Sequence, residues 1–420
     1  MSQTAEHPPQ PSPTEGEAVA GNDRRRLALL IAVVVGVIVL SLITGAFPAV
    51  AFVLAIIASV LIHEAGHLFA ARKTGMKATE YFVGFGPRLW SIKRGETEYG
   101  VKAIPAGGYV KVLGMNNMDK GVAPEDEPRT YRQASYPKKL LMTAAGIFTH
   151  FVVAFLLLVL MWTVIGVPNA SRPTLEIGSI SELEDGPSPA QQAGFRLGDE
   201  IVSVDGRAVT TWRELPPYIR ERPGQPITFV VERDGRQVTL SATPINGNPE
   251  GEQVGFVGIG AKTEVERVNP LVAAGRSAEG VYQLTVGSVK ALGSFFAPGS
   301  LRNYGDQLTG GPDADPDARP VSVVGVTRIA NEAGLFDFFA LLIMLNIFFG
   351  VFNAIPLPPL DGGHIALATY ERIRSRKGKR YEADVQKLLP VAAVVLVALV
   401  ALGASAVLMD IVNPIANPFQ

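Results

Sequence analysis

In the stretch LIHEAGHLFA, residues 61–70, two histidines four residues apart flank a glutamate: His63, Glu64 and His67. On a helix, positions i and i+4 share one face, so both imidazoles can reach a single ion while Glu64 leans over that face. The spacing suits hydrolysis. Two neutral imidazoles hold Zn2+, and the ion lowers the pKa of a water it binds from about 15.7 toward about 7. A carboxylate that is not a ligand takes the proton from that water and passes it to the leaving amine, which makes Glu64 the candidate general acid/base. The same pattern arises by accident in some chains. Here it lies in an apolar stretch long enough to cross a membrane, where ionisable groups are disfavoured unless they perform a task. The metal reading is preferred.

A catalytic zinc usually takes three protein ligands and keeps a fourth position for water. The chain has no cysteine, so disulfides, thiol chemistry and thiolate-bound zinc are excluded, and any metal must use His, Asp or Glu. No third ligand follows His67 within the next helical turns. The best candidate stands far away, in NAIPLPPLDGGHIALA at 353–368. Asp361 is a lone carboxylate behind an unbroken apolar stretch. Pro356, Pro358 and Pro359 forbid a regular helix before it, and Gly362 and Gly363 permit close backbone approach. Irregular backbone at membrane depth is tolerated only where it lines a cavity. His364 competes for the role, and a helix-capping aspartate is the plainer alternative. A carboxylate completing a two-histidine set favours Asp361.

The rest of the chain must position these residues. It has 420 residues, 47% of them hydrophobic, and a mean hydropathy of +0.23, high for a water-soluble protein. With a formal net charge of −1 it lacks the electrostatic footprint of a nucleic-acid binder, and no nucleic-acid partner is expected. Five apolar runs read as transmembrane helices: 27–44, 48–71, 140–167, 335–360 and 389–409. A signal peptide is the rival reading of the first. Three arginines at 24–26 precede run one; Arg72, Lys73 and Lys77 follow run two; Lys138 and Lys139 lead into run three. Six basic residues occupy ERIRSRKGKR, 371–380. All of these clusters are cytoplasmic if the N-terminus is, which places 168–334 and the C-terminus outside. Residues 80–115, dense in glycine and aromatics, read as strands and turns. Residues 172–262 give short β-like runs between Gly, Pro and Asp-Gly turns. Within them SPAQQAGFRLGDEIVSVDGRAV, 188–209, resembles the middle of a PDZ domain: a short helix, a Gly-Asp turn, then a buried strand. Residues 1–23 read as a disordered tail and 300–320 as a flexible polar connector.

HEAGH in one span, NAIPLPPLDGG in a later one and the PDZ-like module between them together resemble the site-2 protease family of intramembrane zinc metalloproteases. The string from Arg72 to Met115 is similar to that of actinobacterial members, and the resemblance covers about residues 50–410. It implies that His63, His67 and Asp361 are the ligands of a Zn2+ cofactor. Glu64 and Asn353 are then the catalytic residues, Asn353 steadying the substrate backbone or the oxyanion, with Asn346 a weaker candidate for the same work. The hairpin at 80–112 resembles the family's membrane-embedded β-loop, whose free edge would pair with a substrate unwound from its helix. One departure stands out. The family pattern Ala-Gly-Pro-x-x-Asn around the third span reads AAGIFTH here, with Ile147 for the proline and His150 for the asparagine. His150 is then either a polar packing residue or a participant at the site.

The expected fold is a polytopic α-helical membrane protein of about five transmembrane helices, with a membrane-associated β-hairpin region and an extracytoplasmic PDZ-like α+β domain. Its expected layout is a disordered tail (1–23), two membrane helices (24–71), a cytoplasmic-side β-loop region (72–139) and a third membrane helix (140–167). There follow the PDZ-like domain (168–265), a connector (266–334), a fourth span with the LDGG motif (335–370), a basic loop (371–388) and a fifth span with a tail (389–420). The expected function is an intramembrane zinc metalloendopeptidase in the inner (plasma) membrane, surrounded by the lipid bilayer. The resemblance implies substrates that are single-pass transmembrane proteins, such as anti-sigma factors or remnant signal peptides, trimmed first by a site-1-type protease in regulated intramembrane proteolysis. Two alternatives compete: a catalytically inactive metal-binding membrane scaffold that recruits partners through the PDZ-like domain, and a metal transporter. Against the second, the polar residues form one compact set rather than a series at different depths.

Overall fold

The computed structural model describes residues 14–115, 122–183, 186–247, 252–309, 321–375 and 381–412. In chain order, two helices, α1 (Thr14–Thr44) and α2 (Phe47–Lys73), lead into strands β1 (Ala78–Arg94) and β2 (Thr97–Val112) and then α3 (Tyr136–Leu160). Next come β3 (Val167–Ile180), α4 (Pro189–Ala193), β4 (Glu200–Val204), β5 (Arg207–Ala208), α5 (Leu215–Arg220), β6 (Ile227–Arg233), β7 (Arg236–Ala242), β8 (Ile245–Asn246), β9 (Gly255–Phe256) and β10 (Ile259–Glu266). Six helices close the chain: α6 (Pro270–Phe295), α7 (Pro298–Thr309), α8 (Val323–Glu332), α9 (Leu335–Asn353), α10 (Asp361–Arg374) and α11 (Leu389–Val412). The chain divides into two compact units, one reaching to Leu158 and resuming at Gly275, the other containing Val159–Ala274.

Among the described residues of the whole chain, five helical segments are long and apolar enough to cross a membrane: Arg25–Thr44, Phe47–Lys73, Tyr136–Ile165, Leu335–Asn353 and Leu389–Val412. In the first unit, α2 starts with a proline in its first turn and stops at Thr74, with Gly75 beyond it at φ +82°, a helix entry and exit that follow from those residues. Phe52 of α2 is fully buried among Ala330 of α8 and Leu342 of α9, with Phe338 set edge-on at 5.5 Å. At the other end of α2, Leu68, Ala70 and Ala71 share a core with Val112 of β2 and Met142 of α3. The hairpin is folded over on itself. Residues 80–83 pair with 108–111 on one side and with 98–101 on the other, while 88–94 pair back onto 97–102. The segment 104–112 is thus an outer strand of four.

Two expectations change. The tail expected through residue 23 is helical from Thr14, since its Glu and Ala residues are strong helix formers; residues 1–13 lie outside the described residues. The connector expected at 266–334 carries α6, α7 and α8, and the flexible segment expected at 300–320 is helical as far as Thr309, with 310–320 outside the described residues. Gly280 and Gly287 are accommodated inside α6, each at a cost to the helix of only about 1 kcal/mol.

At the start of α3, Lys139 is 6% exposed and its ammonium lies 2.7 Å from a carboxylate oxygen of Glu371, near the end of α10. The other Glu371 oxygen accepts the Ala383 N–H. This pair, with Tyr136 Oη beside Thr369 Oγ1, fastens the helix that begins at Asp361 to α3. Lys139→Ala leaves a buried carboxylate without its cation and is expected to destabilise the fold by about 3–5 kcal/mol, whereas Lys139→Met with Glu371→Leu is expected to recover most of that loss. Thermal melts of the detergent-solubilised variants check both.

The second unit is β-rich. Its main sheet runs β10-β3-β4-β6-β7 with β5 beside β4, antiparallel throughout. Ile177, Ile201, Leu215, Ile227, Phe229, Val231 and Val257 form its buried core. Two Asp-Gly turns place two successive residues at positive φ, Asp205-Gly206 at +45° and +74° and Asp234-Gly235 at +51° and +71°, the backbone that two-residue hairpins need. Ser188 caps α4 in a capping box with Gln191. Asp199, next to Gly198, takes two 2.7 Å bonds from the Arg233 guanidinium. The short helix, Gly-Asp turn and buried strand read from 188–209 are therefore present.

Candidate metal centre

His63 and His67 sit on the buried face of α2, one turn apart. Asp361 arrives from the far end of the chain. After α9 the backbone turns irregularly through the prolines, with Pro358–Pro359 in cis, and Asp361 opens α10. Gly362 and Gly363 let that turn close. A Cβ on Gly362 would lie 2.2 Å from the Ile355 carbonyl oxygen, and one on Gly363 2.6 Å from the Pro358 nitrogen. No other residue type fits either place.

The three donor atoms form a near-equilateral triangle. His63 Nε2 and His67 Nε2 are 3.1 Å apart, and each is 3.2 Å from Asp361 Oδ2. Tetrahedral zinc, with bonds of about 2.0–2.1 Å, requires ligand atoms about 3.3 Å from one another. The His67 Nδ1–H donates to the Met142 carbonyl at 2.9 Å, which fixes the tautomer and leaves the Nε2 lone pair for an ion. The residues fit the metal. Among the described residues this is the one group of three such donors close enough to share an ion, and it contains Asp361 rather than His364.

Two backbones wall the site. Gly146 of α3 lies against both imidazoles: a Cβ there would sit 2.2 Å from His67 Nε2 and 2.8 Å from His63 Cε1. Across the same crossing, Gly66 of α2 meets the Ala145 carbonyl, where a Cβ would be 2.8 Å away. On another side the outer strand of the folded hairpin reaches Glu64. A Cβ on Gly108 would lie 3.5 Å from Glu64 Cγ. Tyr81 Oη donates to the Leu61 carbonyl at 2.7 Å, joining the hairpin to α2 again.

The other sequence candidates divide. Asn353 ends α9, half-buried, and its side chain has no hydrogen-bond partner among the described residues. Asn346 is fully buried with both functions engaged: Oδ1 accepts from His150 Nδ1–H, while Nδ2 donates to Ser59 Oγ and to the Leu342 carbonyl. It has no donor left for a substrate. His150 is 2% exposed, its ring 4.9 Å from that of His63. Sequence reading passed over Gly146, Met142 and Gly108. Gly146 was visible in AAGIFTH, but only Ile147 and His150 departed from the family pattern.

A donor triangle of this kind among membrane-length helices marks a metal-binding membrane protein. The model of peptidase family M50 matches residues 51–400, and the chain belongs to that family, the site-2 proteases. It is 38% identical over 404 residues to the zinc metalloprotease Rip1 of Mycobacterium bovis, covering 87% of this chain and 97% of that protein. The Rip1 zinc metalloprotease of Mycolicibacterium smegmatis is 36% identical over 402 residues, covering 87% and 98%. A solved PDZ domain of an SdrC-like protein from Listeria monocytogenes aligns with 22% of this chain and 92% of that domain, at 19% identity and a TM-score of 0.18. The chain is a zinc metalloprotease and a membrane protein.

Proposed function

We propose that this protein cuts peptide bonds within the transmembrane segments of single-pass membrane proteins. The observation that carries the reading is the His63–His67–Asp361 triangle, assembled between α2 and α10 among apolar helices. Zn2+ held there supplies a Lewis acid and an acidified water. Glu64, beside the ligands but not one of them, takes the proton from the attacking water and returns it to the leaving nitrogen. Asn353, without a side-chain partner among the described residues, offers its amide to the oxyanion or to the substrate backbone. The outer strand 104–112 gives an unwound substrate an edge to pair with, which frees a peptide bond that a helix would shield. Substrates of the anti-sigma-factor or remnant-signal-peptide kind, trimmed beforehand by another protease, suit such a site in the inner membrane. The N-terminus is then cytoplasmic, as the basic clusters favour, and the second unit is an exterior PDZ-like module that screens substrates by size or by a newly made C-terminus.

The test is purified protein in liposomes with single-pass substrates, the cut mapped by mass spectrometry. Cleavage inside the membrane-spanning stretch, stopped by 1,10-phenanthroline and restored by zinc, is the expected result. Cuts confined to soluble flanks, or undiminished by the chelator, would overturn the proposal.

A further inference from the structure

The two histidine ligands are supported differently. His67 is tethered through Nδ1 to the Met142 carbonyl, whereas His63 Nδ1 is buried without a hydrogen-bond partner among the described residues. A ligating imidazole almost always has such a partner to set its plane. What borders His63 instead is a ring. The His150 imidazole lies 4.9 Å away, tilted by 33°, and His67 stands edge-on at 4.7 Å on an interplanar angle of 87°. His150 is itself fixed. Its Nδ1–H donates to Asn346 Oδ1 at 3.2 Å, and Phe349 packs edge-on at 5.6 Å. Asn346 in turn donates to Ser59 Oγ at 3.2 Å, and Ser59 bonds to the Ala55 carbonyl at 2.9 Å.

Ser59 lies on α2 one helical turn before His63, so these contacts leave α2, pass through α9 and α3, and come back to α2 four residues later. We infer that His150 is a positioning residue for the metal site: its ring face, packed between Phe349 and His63, fixes the plane of His63 in place of a hydrogen bond to Nδ1. His150 touches neither water nor substrate in this role. It acts through His63, keeping that imidazole aimed into the triangle and sparing it the rotamer search that a loosely packed ligand makes before each binding event. The inference rests on His63, His67 and Asp361 holding zinc.

Two replacements of similar bulk separate the ring from the hydrogen bond. His150→Phe keeps a flat face and loses the bond to Asn346; His150→Gln keeps a polar partner for Asn346 and loses the face. Full-length protein in detergent, stripped of metal, is titrated with zinc against a competing chelator, and the visible spectrum of the cobalt-substituted form reports ligand geometry. His150→Gln is expected to bind zinc about ten- to a hundredfold more weakly, the usual penalty for losing support behind a ligand, with an altered cobalt spectrum. His150→Phe is expected to stay within about threefold of the parent. Equal affinities for parent and His150→Gln, or equal losses in both variants, overturn the inference. The parent serves as the control for the site itself: if it binds no zinc, or binds it unchanged after Asp361→Ala, the metal-centre reading fails, a result distinct from either of these.

Discussion

Glu64→Gln is expected to lower the rate of peptide hydrolysis about a hundred- to ten-thousandfold while the protein still carries one zinc per chain. The separation follows from position. Glu64 is half-buried, adjacent to His63, and absent from the donor triangle. A glutamine has the same shape and fills the same space beside Gly108. What it cannot do is take a proton from water and release it to the departing nitrogen. Substrate should therefore bind and remain uncut, so that an intact single-pass substrate accumulates with the variant in co-expression and metal analysis stays at the parental value. Hydrolysis within about threefold of the parent would show that Glu64 is not the acid/base, and the scaffold reading of the chain would regain its standing. His63→Ala gives the contrast, since removing a ligand is expected to lose metal and activity together.

Much of this site could be read from the sequence because its parts are local. HExxH carries its own geometry, four residues making one turn, and an apolar run around it removes most bland explanations for charge. Asp361 was legible for a different reason: three prolines and two glycines leave few conformations for its neighbourhood, and a carboxylate there needs a purpose. The Asp-Gly turns of the second unit belong to the same class, since the dipeptide prescribes the backbone. What escaped was everything set by contact between distant helices. That Met142 would give its carbonyl to His67, or that Gly146 would lie flat on both imidazoles, depends on how α3 crosses α2, and no run of letters states a crossing. The folding over of the hairpin was hidden likewise, because alternate pairings along one strand leave the same composition. The helical connector was missed for another reason: the string 300–320, with its Gly, Pro and Asp residues, reads as a polar link, and nothing in 270–299 marks the helix that precedes it.

Gly146→Ala should empty the metal centre. The added methyl would lie 2.2 Å from His67 Nε2, 2.5 Å from His67 Cε1 and 2.8 Å from His63 Cε1, while carbon atoms rest comfortably at about 3.5–4.0 Å. Something must move by more than 1 Å by that reckoning. The imidazoles cannot yield without leaving a triangle whose edges are 3.1–3.2 Å. If α3 retreats instead, it withdraws the Met142 carbonyl from His67 Nδ1 and opens the crossing at which Gly66 meets Ala145. Neither route preserves a tetrahedral site. Alanine is the better helix former by about 1 kcal/mol, so α3 itself gains rather than loses by the change. The outcome separates from ordinary misfolding on that account: helix content by circular dichroism should hold while bound zinc falls below about a tenth of the parental amount and hydrolysis disappears with it. A Gly146→Ala protein that kept one zinc and near-parental activity would mean that α3 does not press on the ligands at this residue. The wall of the site would then have to be sought elsewhere in the bundle.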